Sequence, residues 1–298
     1  MANCRRRGGR GRMQSGAKQP VIIFVHLPKC GGTTLFRLVE WEYSPTQVFF
    51  VDGRFYRWSY NRLIHSRADK LANMQVFQGH MPFGLHKLLD APATYMTMLR
   101  EPVDRVISEY YYRINRLQHP YEDRWMKKLS LEEYVRTTPQ HNIQTKLLAG
   151  RHSGYDFLAG DCTEETLAVA KENLAQQFSL IGLTERFEES LALAKLAFGW
   201  KIEHFADFNI TGKRPAKSSV APAIRDLISE FYQYDVALYE HVVGLFNQAV
   251  ARRQEQISAE LAAVRQARSH GTLDSLGYRV GSSARHWISR LHSAMLIM

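Results

Sequence analysis

The sequence predicts an α/β fold of three layers, with a central, mostly parallel sheet flanked by helices. Three observations carry that expectation. Residues 21–27 (VIIFVHL) form a continuous apolar run rich in β-branched side chains, the pattern of a strand covered on both faces. Shorter runs at 75–79 (QVFQG), 93–99 (ATYMTML) and 179–183 (SLIGL) alternate with segments of helical period, as parallel strands joined by crossover helices do. Chemistry-bearing residues follow directly on three of these runs, at 29–34, His80 and Arg100. Open parallel sheets bind ligands beyond the carboxyl ends of their strands.

Taken in order, residues 1–19 are rich in Arg, Gly and Gln, lack apolar periodicity and read as a disordered basic tail. The first strand turns at 28–32 into a helix with Leu35, Phe36, Leu38 and Val39 on one side and Arg37 and Glu40 as its charges. Arg100 closes the strand at 93–99. Pro102 then stands at a first helical position, where its missing N–H is tolerated, and Val103, Val106, Ile107, Tyr110, Tyr111 and Ile114 give 102–116 a helical period. Ser130 and Glu133 make a capping-box pattern before a short helix. Thr163, followed by Glu164 and Glu165, starts a helix to about 177. Thr184 is placed to cap another that reaches Ala197. Residues 208–220 are a polar loop, 221–255 are mostly helical, and the pattern weakens beyond 265 except for an apolar, basic stretch at 285–298. One domain is expected at 20–255, with a C-terminal extension at 256–298.

Composition narrows the partners. Of the 298 residues, 45% are apolar and 23% charged, the proportions of a soluble globular protein. The net charge of +10 points to an anionic partner, whether nucleotide, nucleic acid, acidic polysaccharide or lipid, although Arg5, Arg6, Arg7, Arg10, Arg12 and Lys18 of the tail supply part of it. Cys4, Cys30 and Cys162 form no CxxC, which argues against a disulfide scaffold and fits a reducing compartment. The twelve histidines show no metal-binding spacing, so no metal is expected. No apolar run approaches the ~20 residues of a membrane span, and the basic start is not followed by the apolar core of a secretory signal. A cytoplasmic location is expected, with peripheral membrane contact through 285–298 as the alternative. Oligomeric state is not legible.

The most informative segment is Pro28-Lys29-Cys30-Gly31-Gly32-Thr33-Thr34. Its glycines let backbone N–H groups approach an anion closely. The helix that follows aims its N-terminal amides at the same place, and Thr33, Thr34 and Lys29 add hydroxyls and a charge. In the P-loop of a kinase or NTPase the lysine directly precedes the Ser or Thr that binds magnesium. Here Lys29 precedes the glycines, so the turn is P-loop-like without implying a metal. A second site is read at Arg100 and Ser108. With the helix starting at Pro102, Ser108 lies roughly 9 Å along its axis, and a guanidinium and a hydroxyl so placed can converge on one anion; the alternative is that Arg100 pairs with Glu101 or Asp104 and Ser108 is a neutral surface residue.

HLPKCGGTTL, followed about seventy residues later by MLREPVDRVISEYYY, resembles the paired signatures of PAPS-dependent sulfotransferases (PAPS is 3′-phosphoadenosine-5′-phosphosulfate). The likeness is to the branch with heparan sulfate 2-O- and 6-O-sulfotransferases and their bacterial relatives. It extends through GHMPFGLH, HNIQTKLLAG, LIGLTERFEESLALAKLAFGW and QYDVALYEH, covering roughly 21–245. The resemblance implies that Lys29, Gly31, Gly32, Thr33 and Thr34 hold the 5′-phosphosulfate, with Cys30 as a small filler where the family often has Thr or Ala. It implies that Arg100 and Ser108 bind the 3′-phosphate, and that a basic loop, here with Lys213, Arg214 and Lys217, closes over it.

The expected reaction is in-line transfer of a sulfuryl group to a hydroxyl acceptor, expected on a carbohydrate, with PAPS as co-substrate and no metal. A base must take the hydroxyl proton. His80 suits that role, since imidazole titrates near neutrality and the resemblance places a histidine base there; His86 and His26 are alternatives, with His26 expected to pack beneath the loop. Lys29 would neutralise charge on the departing phosphate. Asn142, Gln144 and Lys146 either touch acceptor or adenine or form a polar helix face. Tyr110, Tyr111 and Tyr112, and the aromatics between Trp41 and Tyr60, are assigned no site. The rival readings are a P-loop-type kinase or NTPase and a non-enzymatic nucleic-acid-binding protein.

Overall fold

The computed structural model describes residues 20–51, 63–66, 71–115, 129–150, 160–201, 215–269 and 287–288. The basic tail, Lys213, Arg214 and nearly all of 270–298 lie outside the described residues. Strands β1 (Val21–Val25), β2 (Val48–Val51), β3 (Val76–Gly79), β4 (Ala93–Leu99) and β5 (Phe178–Leu183) form one sheet in the order β2-β3-β1-β4-β5. Every pairing is parallel, as the continuous apolar runs require. Ile23, Phe24 and Val25 of the central strand are wholly buried.

Helix α1 (Gly32–Glu42) links β1 to β2. Helices α2 (Pro102–Asn115), α3 (Leu131–Thr137), α4 (Ile143–Ala149) and α5 (Glu164–Gln177) lie between β4 and β5. Helices α6 (Phe187–Phe198), α7 (Pro222–Phe231), α8 (Gln233–Ala251) and α9 (Gln254–Ser269) follow. The predicted caps form: Ser130 Oγ accepts from Glu133 N at 3.2 Å while the Glu133 carboxylate accepts from Ser130 N at 2.7 Å, and Thr163 Oγ1 accepts from Thr166 N. Most buried apolar residues form one cluster around the sheet, joined by Ile257 of α9; a second cluster packs Val106 and Ile107 of α2 against Tyr134 of α3 and Ile228 of α7. Among the described residues no helix is long and apolar enough to cross a membrane.

Two expectations are corrected. Strand β2 was not anticipated: at four residues, VFFV is too short to show a period, and only its pairing with β3 makes it a strand. Thr184 does not cap α6, which begins at Phe187 after a 3₁₀ turn over Thr184–Arg186. Its hydroxyl donates instead to the Leu99 carbonyl at the end of β4, at 2.9 Å.

The strand order positions the site. The chain leaves β1 towards the β2–β3 edge and leaves β4 towards β5. The segments after β1 and β4 therefore diverge and open a crevice between their carboxyl ends, the topological switch point where such sheets hold ligands.

Candidate active site

The segment after β1 forms one wall of that crevice. His26 continues the pairing with β3 by donating its N–H to the Gly79 carbonyl at 2.9 Å. Lys29 (φ 65°) and Gly31 (φ 68°) then take left-handed conformations, which costs an L-residue such as Lys29 roughly 1–2 kcal/mol. Gly31 is needed for its backbone. Gly32 is needed for space, because a Cβ there would lie 2.3 Å from His26 Cδ2. Helix α1 starts at Gly32, so its first turn directs amides back to the loop; that of Thr34, a buried residue, donates to the Gly31 carbonyl at 3.3 Å. The Lys29 ammonium sits 3.8 Å above the centroid of the Tyr112 ring, a cation–π contact that aims it across the crevice towards α2.

The segment after β4 meets this wall directly. Arg100 Nη1 donates to the Lys29 carbonyl at 3.1 Å, while Nε (2.9 Å) and Nη2 donate to the Asp104 carboxylate. Motifs seventy residues apart in sequence are thus in contact. Ser108 is buried in α2, and at helical spacing Arg105, Ser108 and Tyr112 share one face. The α2 N-terminus is capped by its own chain: the Glu101 carboxylate accepts from Val103 N (3.2 Å) and Asp104 N (2.8 Å) and pairs with Lys217 Nζ at 2.8 Å. Lys217 therefore brings the end of the polar 208–220 loop to the crevice. Lys213 and Arg214 lie outside the described residues.

His80 stands after β3 on the same rim. Its Nδ1 lies 2.7 Å from the His26 carbonyl. A carbonyl only accepts, so Nδ1 carries the proton and Nε2 is the basic nitrogen. The His80 and His26 rings stack at 4.5 Å and 20°. Burial, reinforced by the positive charges possible on His80 and on Lys29, holds His26 well below the usual imidazole range. His26 thus packs under the loop, as expected. His86 is bound by Nδ1 to the Tyr95 hydroxyl at 2.7 Å and packs on Phe83; burial lowers its basicity too. The buried Cys30 thiol lies 3.3 Å from Gln144 Oε1 and 3.5 Å from the Pro28 carbonyl, and burial pushes it up to about 12. It fills space and is not a nucleophile.

Asn142, Gln144 and Lys146 are buried, so they do not form an exposed polar face. Asn142 Oδ1 accepts from Tyr234 N and Asp235 N, and its Nδ2 donates to the Phe231 carbonyl. Buried Asp235 accepts from Thr145 N, Thr145 Oγ1 and Gln144 N. Burial raises its carboxyl, opposed first by Arg105 and then by these hydrogen bonds. Sequence reasoning passed over Tyr112 and Glu101. The signal for Tyr112 was its helical spacing from Ser108; Glu101 could have been read as an acidic residue just before a helix.

Comparison with known proteins places these features in a family. A family model described as Galactose-3-O-sulfotransferase matches residues 14–277. Heparan sulfate 2-O-sulfotransferase hst-2 of Caenorhabditis elegans is 23% identical over 269 residues, 80% of this chain and 82% of that protein. Heparan-sulfate 6-O-sulfotransferase 2 of Danio rerio is 26% identical over 83% of this chain, and Galactose-3-O-sulfotransferase 3 of Mus musculus 24% identical over 85%; the matches span only 63% and 62% of those two proteins. With the family model matching nearly the whole chain, glycine turn and Arg100 segment included, the chain belongs to the galactose-3-O-sulfotransferase family of sulfotransferases.

Proposed function

We propose that this chain transfers a sulfuryl group from PAPS to a carbohydrate hydroxyl, by in-line displacement with His80 as the base. The observation that carries the reading is the joining of the Lys29–Gly31–Gly32 turn to Arg100 at the switch point, with the basic nitrogen of His80 on the same rim. The turn supports the reading by offering main-chain amides and the Lys29 ammonium to one anionic end, and Arg100 and Ser108 are the residues assigned to the 3′-phosphate. PAPS when bound supplies the sulfuryl group and a phosphate leaving group.

His80 receives the acceptor proton at Nε2 while the His26 carbonyl holds its ring through Nδ1–H. Lys29, steadied by Tyr112, neutralises charge gathering on the leaving oxygen. Lys213 and Arg214, which lie outside the described residues, are assigned to the 3′-phosphate by their place in the sequence alone. The relatives' names, heparan sulfate and galactose, support a sugar as acceptor.

The test is a transfer assay with radiolabelled PAPS, run with EDTA against heparan sulfate-type and galactose-terminated acceptors. Label is expected on a carbohydrate with wild type and none with Lys29→Ala or His80→Ala. The His80 variant should still bind the desulfated product PAP. Wild-type transfer by His80→Ala removes that residue as base, and metal-dependent ATP turnover without sulfate transfer refutes the reading.

A further inference from the structure

We propose that Gln144 is a positioning residue that fixes the spacing of the two anion-binding segments, so that together they select a nucleoside bisphosphate over either monophosphate; the inference rests on the PAPS reading above. Gln144 is wholly buried. Its Oε1 accepts from Arg100 N at 3.0 Å and lies 3.3 Å from Cys30 Sγ, and its Nε2 donates to the Arg100 carbonyl at 3.0 Å. One side-chain amide thus pairs with both backbone groups of Arg100, as a neighbouring strand would, and also touches the middle of the glycine turn. Its own backbone N–H is anchored from behind by Asp235, at 3.3 Å.

The Gln144 side chain is wholly buried, which shields its end of these bonds from solvent and stiffens the link. A side chain without the amide leaves the Arg100 N–H and carbonyl unpaired, which is costly at a buried site, and the segment must shift to recover partners. A ligand with two phosphates at a fixed separation loses the benefit of its second contact when the two sites move apart. A ligand with one phosphate does not.

The experiment is calorimetric titration of PAP, 5′-AMP and 3′-AMP into wild type and Gln144→Met, with thermal melts as a folding control. The expected result is PAP binding weakened by roughly tenfold or more in the variant, with each monophosphate changed by less than about threefold. Equal weakening of all three ligands, or unchanged PAP binding, overturns the inference. Should Gln144→Met fail to fold, Gln144→Asn, which keeps the amide one methylene short, carries the same comparison with the same two outcomes. Wild type that ignores PAP is a separate failure: it overturns the donor reading and this inference with it.

Discussion

Replacing Gly32 by alanine tests the packing of the glycine turn against the histidine pair that carries the proposed base. The backbone at Gly32 is not in the left-handed region, so alanine meets no conformational penalty; the effect is purely steric. The new Cβ would lie 2.3 Å from His26 Cδ2 and 2.6 Å from Nε2, at least about 1 Å inside ordinary contact. The imidazole has little room to yield, because it is stacked between Phe24 at 5.6 Å and His80 at 4.5 Å. Overpacking of this kind costs ~1–3 kcal/mol. Displacing the ring by ~1 Å moves His80 with it, and misplacement on that scale can cost ~10²-fold in rate. Urea melts and the radiolabel assay measure both effects. His26→Ala removes the ring yet keeps the carbonyl that holds His80 Nδ1. The double variant should therefore recover stability, with a coupling of about 1 kcal/mol or more. Wild-type stability and turnover in Gly32→Ala, or strict additivity in the double variant, refutes the argument.

Tyr112→Leu removes the ring beneath Lys29 and should lower kcat by roughly 3–10-fold, in line with a cation–π contact of ~0.5–2 kcal/mol, whereas Tyr112→Phe stays near wild type; equal losses in both would locate the effect elsewhere. Lowering the pH through the imidazole range should reduce transfer, because protonated His80 cannot accept a proton. Since His26 stays neutral through that window, the acid limb of the kcat/KM profile should have unit slope, and a flat profile between about pH 5 and 8 removes the histidine base. Native Cys30 should resist iodoacetamide at pH 8, where a thiol near 12 is ionised to about one part in 10⁴; mass spectrometry showing rapid labelling of folded protein contradicts its burial. Asp235→Ala should destabilise by roughly 3 kcal/mol or more, because it leaves the amides of Gln144 and Thr145 and the Thr145 hydroxyl without their buried acceptor; a melt within 1 kcal/mol of wild type counts against that network.

What sequence could convey here follows from the range of the interactions involved. Strand β1 and helix α2 were legible because burial imposes a period over many residues. The glycine turn was legible because lysine beside two glycines after a strand states a local backbone requirement. The role of Gln144 was not, since its meaning lies in contacts with Cys30 and Arg100, 114 and 44 positions away. The same holds for the His80 tautomer, which is set by a carbonyl 54 positions earlier. Tyr112 stood in plain view but was grouped with neighbours such as Tyr110, whose ring does pack in the core.

The carboxylate that closes off the first turn of α2 has a consequence for how donor preference could drift. On the proposed reading, recognition on the α1 side is written largely in main-chain atoms, which no substitution deletes, so variation there is confined to whether the glycines survive. On the α2 side the amides are already spoken for, and discrimination falls to interchangeable side chains. Altered nucleotide preference, whether arising in nature or by directed evolution, should therefore accumulate along the second helix while the turn ahead of the first stays almost constant.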